Sequence, residues 1–89
     1  LADKGDPTAL VKASTDASSF VREAVANALG GLPAATGLEA LLKLSHDEVA
    51  QVRAAAAEAL RKLKDERATK RRTELTRDPD PIVRAAAGS

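Results

Sequence analysis

Asp47-Glu48-Val49-Ala50-Gln51-Val52-Arg53-Ala54-Ala55-Ala56-Ala57-Glu58-Ala59-Leu60-Arg61-Lys62-Leu63 is the stretch that decides the fold. Its apolar residues Val52, Ala55, Ala56, Ala59, Leu60 and Leu63 recur at intervals of three and four, one stripe along an α-helix. Thirty-one residues earlier stand Asp16, Val21, Arg22, Ala24, Ala28, Leu29 and Leu32 in the same places, and 31 residues later Asp78, Val83 and Arg84. Shifting the whole chain by 31 matches 20 of 58 residue pairs, where composition alone gives roughly 6. A period of this length marks stacked supersecondary units, each unable to bury its apolar face alone.

Upstream of each of these second helices, B, lies a shorter apolar group that marks a first helix, A: Leu10 and Ala13, then Leu38, Leu41, Leu42 and Leu44. Asp6 before Pro7 and Asp80 before Pro81 pair an N-cap with proline at the first helical position. Ser18, in phase with Asp80, is expected to cap the first B helix, and Thr36 with Glu39 has the capping-box spacing. Residues 15–17, 45–48 and 77–79 are then linkers short enough to force antiparallel hairpins. Gly30 and Gly31 before Pro33 read as a helix stop. No Gly or Pro lies between Gly37 and Pro79, so a turn at Lys64, Asp65 and Glu66 competes with one long helix. The turn is favoured because the B stripe stops at Leu63. In the third unit Arg71 and Arg72 stand where the second has Ala40 and Leu41. Its A helix should therefore pack loosely on Ala68 and Leu75.

The units are 6–32, 33–63 and a truncated 64–89, after the end of a preceding repeat at 1–5. Leu1 is in phase with Leu32 and Leu63, and the last residues are in phase with Asn27 and Glu58, so both ends are expected to interrupt a unit. Apolar faces left open there predict pairing between chains or fraying.

Eighty-nine residues suffice for one small domain. Alanine supplies 20 of them, and Phe20 is the only aromatic residue. Helix formers dominate, which disfavours sheet-based folds, and small side chains suit close helix stacking. The class is all-α, an α-α superhelix of antiparallel helix pairs. The absence of cysteine excludes disulfides and Cys-ligated metals. No apolar run approaches the ~18 residues of a membrane span, so a soluble chain is expected, with a cytoplasmic setting favoured.

These residues resemble the short HEAT-like repeats of the phycobilisome-lyase type. The resemblance rests on Gly5, Asp6, Pro7, Ala9 and Leu10 opening a unit, then Asp16, Val21, Arg22, Ala26, Ala28 and Leu29. It recurs as Ala40, Leu41, Asp47, Val52, Arg53, Ala57, Ala59 and Leu60, and again as Asp78, Pro79, Val83, Arg84 and Ala85. It implies an α-solenoid whose B helices line the concave surface and whose usual role is protein interaction. It also implies that Asp16, Arg22, Asp47, Arg53, Asp78 and Arg84 form a structural ladder, the Asp bonding backbone or Arg groups across the inter-helix turn and to the neighbouring unit. Relatives with other activities include bilin lyases, hydroxylases and DNA glycosylases, and fold alone does not choose among them.

No catalytic, cofactor-binding or metal-binding residue is expected. His46, Asp47 and Glu48 are adjacent and so share no helix face, and no second histidine accompanies them. Ser14, Ser18, Ser19, Ser45 and Ser89 have no base except His46, and they read as turn and cap residues. Charge is more telling. Residues 1–60 carry five basic and eight acidic side chains, whereas residues 61–77 carry eight basic and three acidic ones. A solvated helix with ion pairs, such as Arg67 with Glu66 or Glu74, accounts for this, and so does a patch for nucleic acid or an acidic partner.

The function expected is a non-catalytic protein-interaction scaffold, presenting B-helix residues such as Arg22, Asn27, Arg53 and Glu58. Two alternatives stand beside it: anion binding through Lys62, Arg67, Lys70, Arg71 and Arg72, and the scaffold part of a bilin-lyase-type enzyme whose active residues lie elsewhere.

Overall fold

Six helices follow from the two alternating punctuation devices in the sequence. In the computed structural model, which describes residues 7–88, they are α1 (Pro7–Ala13), α2 (Ser19–Leu29), α3 (Ala34–Leu44), α4 (Ala50–Lys62), α5 (Glu66–Leu75) and α6 (Pro81–Gly88). No strand is present among the described residues. The A helices α1, α3 and α5 end at Ala13, Leu44 and Leu75, and the B helices α2, α4 and α6 begin at Ser19, Ala50 and Pro81. Each A-to-B turn thus repeats in register with the 31-residue period. The B-to-A joints differ: Gly30 to Pro33 is one, Leu63 to Asp65 the other.

Local chemistry explains the helix starts. The Ser18 hydroxyl accepts the Val21 N–H at 3.4 Å, and the Asp80 carboxylate accepts the Ile82 N–H at 2.9 Å. Asp6 lies outside the described residues. The second joint is a turn and not a continuous helix: Leu63 is extended (φ −92, ψ 131) and Asp65 caps α5 by accepting the Arg67 N–H at 2.8 Å. The Thr36–Glu39 capping box does not form. Pro33, at φ −58 and ψ 149, already starts α3, and its carbonyl accepts the N–H groups of Thr36 and Gly37. Thr36 therefore lies inside the helix, and Glu39 reaches across to Arg67 instead.

One core runs through all three helix pairs. Leu29, Leu41, Leu60, Leu75, Val52 and Val83 are its largest fully buried side chains. Alanines 26, 55, 56, 57, 59 and 87 are buried where B helices meet, and these small residues let α2, α4 and α6 press together more closely than α1, α3 and α5 do. The B helices are therefore the more tightly packed layer of the stack.

Gly30 follows the last residue of α2, and the requirement for glycine there is steric. It keeps right-handed helical dihedrals (φ −64, ψ −19), but a Cβ on it would lie 2.8 Å from the Ala59 Cβ and 2.9 Å from the Ala59 Cα. Gly30→Ala is expected to force α2 and α4 apart and to cost about 1–3 kcal/mol, a drop of several degrees in melting temperature followed by circular dichroism. Gly31→Ala, whose added Cβ meets only the Ala28 carbonyl at 3.6 Å, should leave the melt unchanged.

Candidate functional site

Two kinds of polar surface emerge from this packing, an internal ladder at the A-to-B turns and the open faces of the helices. In the ladder each aspartate first organises its own turn. Asp16, Asp47 and Asp78 accept the N–H two residues on, from Ser18, Val49 and Asp80, at 2.8 to 2.9 Å. The arginine six residues on donates Nη1 to the backbone carbonyl of that aspartate: Arg22 to Asp16 at 2.7 Å, Arg53 to Asp47 at 2.8 Å, Arg84 to Asp78 at 2.8 Å. The rest of the guanidinium reaches the next unit. Arg22 donates Nε and Nη2 to the Asp47 carboxylate at 2.7 and 3.2 Å, and Arg53 does the same to Asp78 at 2.9 and 3.1 Å. Such two-pronged pairing matches the planar guanidinium to the carboxylate.

These groups are largely shielded, with 10% of the Asp47 side chain and 14% of Arg22 exposed. Burial pushes the Asp47 carboxyl up, but the Arg22 hydrogen bonds, the Val49 N–H and the Arg53 charge outweigh it and hold the group below its ordinary range. Asp78 is held low in the same way: burial opposes, while Arg53, the Asp80 N–H and the Arg71 charge prevail. Arg22 and Arg53 are thus consumed inside the ladder, and the expectation that they face a partner is corrected.

The basic third unit divides into used and open cations. Arg71 is half-buried. It donates Nε to the Ser45 hydroxyl at 2.8 Å and Nη2 to the Ser45 carbonyl at 3.0 Å, with Nη1 on Glu74 at 3.0 Å. Its Nη2 also lies 3.2 Å from His46 Nδ1. Arg72 donates to the Ala87 carbonyl at 2.9 Å and so secures the end of α6. These two arginines replace apolar packing by hydrogen bonds, so α5 is pinned to both α3 and α6 rather than loosely held. Arg67 pairs with Glu39 at 2.8 Å, across to α3, and more distantly with Asp65. Neither Glu66 nor Glu74 is its partner, because Glu66 is its chain neighbour and points off another side of the helix, and Glu74 is taken by Arg71. Arg61 pairs with Glu58 at 3.0 Å. Lys62, Lys64, Lys70 and Arg77 are exposed and have no carboxylate within ion-pairing distance among the described residues.

The B side carries a shallow groove of about 260 Å³ lined by Glu23, Asn27, Gln51, Ala54, Ala55, Glu58 and Ile82. Asn27 of α2 and Glu58 of α4 are brought together here, in a groove that none of the α5 cations lines. Phe20, 82% exposed, begins the row that Gln51 and Ile82 continue at the 31-residue spacing. Among the described residues no group of three His, Cys, Asp or Glu side chains is arranged to hold a metal ion, and no helix is long and apolar enough to cross a membrane.

Ser45, read from the sequence as a turn or cap residue, is the C-cap of α3 and also an anchor for Arg71. It is fully buried, donates to the Leu42 carbonyl at 2.6 Å and accepts from Arg71. Ser14 and Thr76, in phase with it, likewise donate to the carbonyl three residues back. The recurrence of a hydroxyl at 31-residue intervals is the signal that marks all three. The sequence model of one family, described as HEAT repeats, matches residues 7–89. No curated protein matches the chain.

Proposed function

Because this chain belongs to the HEAT repeats family across residues 7–89, we propose that it is a non-catalytic scaffold that binds another protein on the concave side formed by α2, α4 and α6. HEAT repeats are in general protein-interaction scaffolds. The observation that carries the reading for this chain is the B-side groove, in which two carboxylates (Glu23, Glu58) and two amides (Asn27, Gln51) stand beside exposed Ile82. Such a surface suits a segment with basic and apolar side chains on one face, the aliphatic and aromatic contacts supplying affinity and the carboxylates register. The reading favours binding over catalysis because the hydroxyls of Ser14 and Ser45 turn back onto backbone carbonyls and His46 faces a guanidinium. The 31-residue period and the Asp, Val and Arg positions support placing the units with the short phycobilisome-lyase type, as architecture and without its chemistry.

A second reading, anion binding, is favoured by Lys62, Lys64, Lys70 and Arg77, exposed cations of the third unit that have no ion-pair partner among the described residues. One experiment separates the two. The isotope-labelled chain is titrated with a basic amphipathic helical peptide, an acidic peptide and duplex DNA, each at two salt concentrations. The scaffold reading expects the basic peptide to shift the amide signals of Glu23, Asn27, Gln51 and Glu58, and Glu58→Lys to weaken it about tenfold. Binding of DNA or acidic peptide that falls steeply with salt and is lost on reversing Lys70 would replace it by the second reading.

A further inference from the structure

We infer, resting on the reading of the B-side groove as the protein-binding surface, that the groove receives an arginine side chain of the partner. Arg61 is then a built-in competitor, holding the Glu58 carboxylate until that arginine displaces it. The groove belongs to the middle of the stack: its lining comes from α2, α4 and α6, and α4 has a B helix packed on each side.

Size and lining decide what enters. At about 260 Å³ the groove falls short of the roughly 300–1,000 Å³ of pockets that enclose a whole small molecule, and it suits one long side chain. Ala54 and Ala55 add only methyl groups to the lining, and Ile82 adds a branched apolar side chain. An aliphatic stem is favoured beside them. Acceptors stand on two helices, Glu23 and Asn27 on α2 and Gln51 and Glu58 on α4, and among the described residues no cation lines the groove. Arginine joins an apolar stem to a planar head with five N–H donors and a permanent charge, so one side chain can address acceptors on both helices. The ammonium of lysine is a compact, strongly hydrated charge with three donors and matches this spread less well.

The two carboxylates differ in their state. Glu23 has no ion-pair partner among the described residues. Glu58 has one: Arg61, the next turn along α4, donates Nη1 to its Oε1 at 3.0 Å. That pair is unlike the ladder. Arg22 and Arg53 each hold an aspartate by two prongs and a carbonyl of their own turn by the third nitrogen, and their side chains are largely shielded. Arg61 makes this single bond among the described residues, leaves 47% of its side chain exposed and does not itself line the groove. Exposed pairs of this kind are weak and screened by salt. A partner arginine that bonds Glu58 and also reaches Glu23, Asn27 or Gln51 therefore outcompetes it. Arg61 occupies Glu58 without filling the groove, and it lowers the affinity for a cationic partner by a small factor.

Calorimetric titration with a basic amphipathic helical peptide tests this, in one version with arginine at every basic position and in another with lysine. Arg61→Gln should tighten the arginine peptide about threefold, the fold-change that corresponds to an exposed ion pair. In a Glu58→Gln background the same substitution should bring no gain, since the carboxylate for which two guanidinium groups compete is gone. The lysine peptide should bind the parent about threefold or more weakly than the arginine peptide. Both substitutions lie at exposed positions and should leave the helical circular dichroism intact. No gain from Arg61→Gln, or an equal gain in both backgrounds, which net charge alone would produce, would overturn the competitor role. Equal affinity for the two peptides would overturn the arginine site. In those cases the amide signals of Glu23, Asn27, Gln51 and Glu58 still shift on titration, and the scaffold reading stands. If neither peptide shifts them in the parent or in Arg61→Gln, that reading fails and the arginine site falls with it.

Discussion

Leu60→Ala is expected to lower the unfolding free energy by about 3–4 kcal/mol, within the range typical of buried leucine truncations. Leu60 is 1% exposed and sits on α4, the helix that touches α2, α3, α5 and α6. The vacated volume is bordered by two layers at once, so neither can collapse into it without leaving the other. A chain of this size has a total stability of about 5–13 kcal/mol, so the variant should lose a large fraction of it. Urea unfolding is the measurement: the midpoint should fall markedly while the dependence on denaturant stays the same, as for a loss of stability without a change in cooperativity. Leu42→Ala, at a half-buried position on α3, should cost about 1 kcal/mol by the same transfer reasoning. Equal effects at the two positions would contradict the central place of α4.

Asp47→Ala is the second large effect, expected at about 2–4 kcal/mol at neutral pH. The substitution removes the acceptor of two guanidinium bonds and of the Val49 N–H, and it leaves Arg22 shielded without its partner, which costs more than the pair contributes net. Asp16→Ala should cost about 1 kcal/mol, as for a lost turn or cap bond, because among the described residues the Asp16 carboxylate accepts only the Ser18 N–H. The effect must also depend on pH. The folded state holds Asp47 and Asp78 below the ordinary carboxylate value, so between that value and the lowered one the unfolded chain binds more protons. Their stabilisation is therefore complete above about pH 4, near the unfolded carboxylate pKa, and is lost as the pH falls through the folded values. Denaturation of parent and variant at pH 7 and at pH 2.5 should show the gap between them narrowing in acid. A constant gap would mean that the carboxylate charge of Asp47 contributes nothing.

Particular residues show why part of this molecule is legible in its sequence. The three B helices were readable because Val21, Val52 and Val83 carry both a helical and a 31-residue spacing, and helix periodicity survives in a single sequence. The turn at Asp65 was readable because the apolar stripe stops at Leu63. Thr36 misleads because its capping-box spacing is a local pattern, whereas Pro33 three residues upstream is the residue from which the helix starts. Arg71 and Arg72 misled because their partners are Ser45 and the Ala87 carbonyl, 26 and 15 residues distant, and no local pattern carries that information. Gly30 read as a terminator, whereas its size matters through Ala59 on another helix.

The sequence by itself determined that this protein is a stack of helix pairs, where each pair turns, and which Asp and Arg positions recur. Those properties reside in backbone propensity and in spacing along one chain. Only the tertiary structure decided how each arginine is divided, with Nη1 on the carbonyl of its own turn and the remaining prongs on the carboxylate 25 residues on. It also decided which cations of the third unit are spent inside and which face solvent. The reason is physical: these outcomes depend on distances between units, and those are set by how closely alanine and glycine allow the B helices to approach.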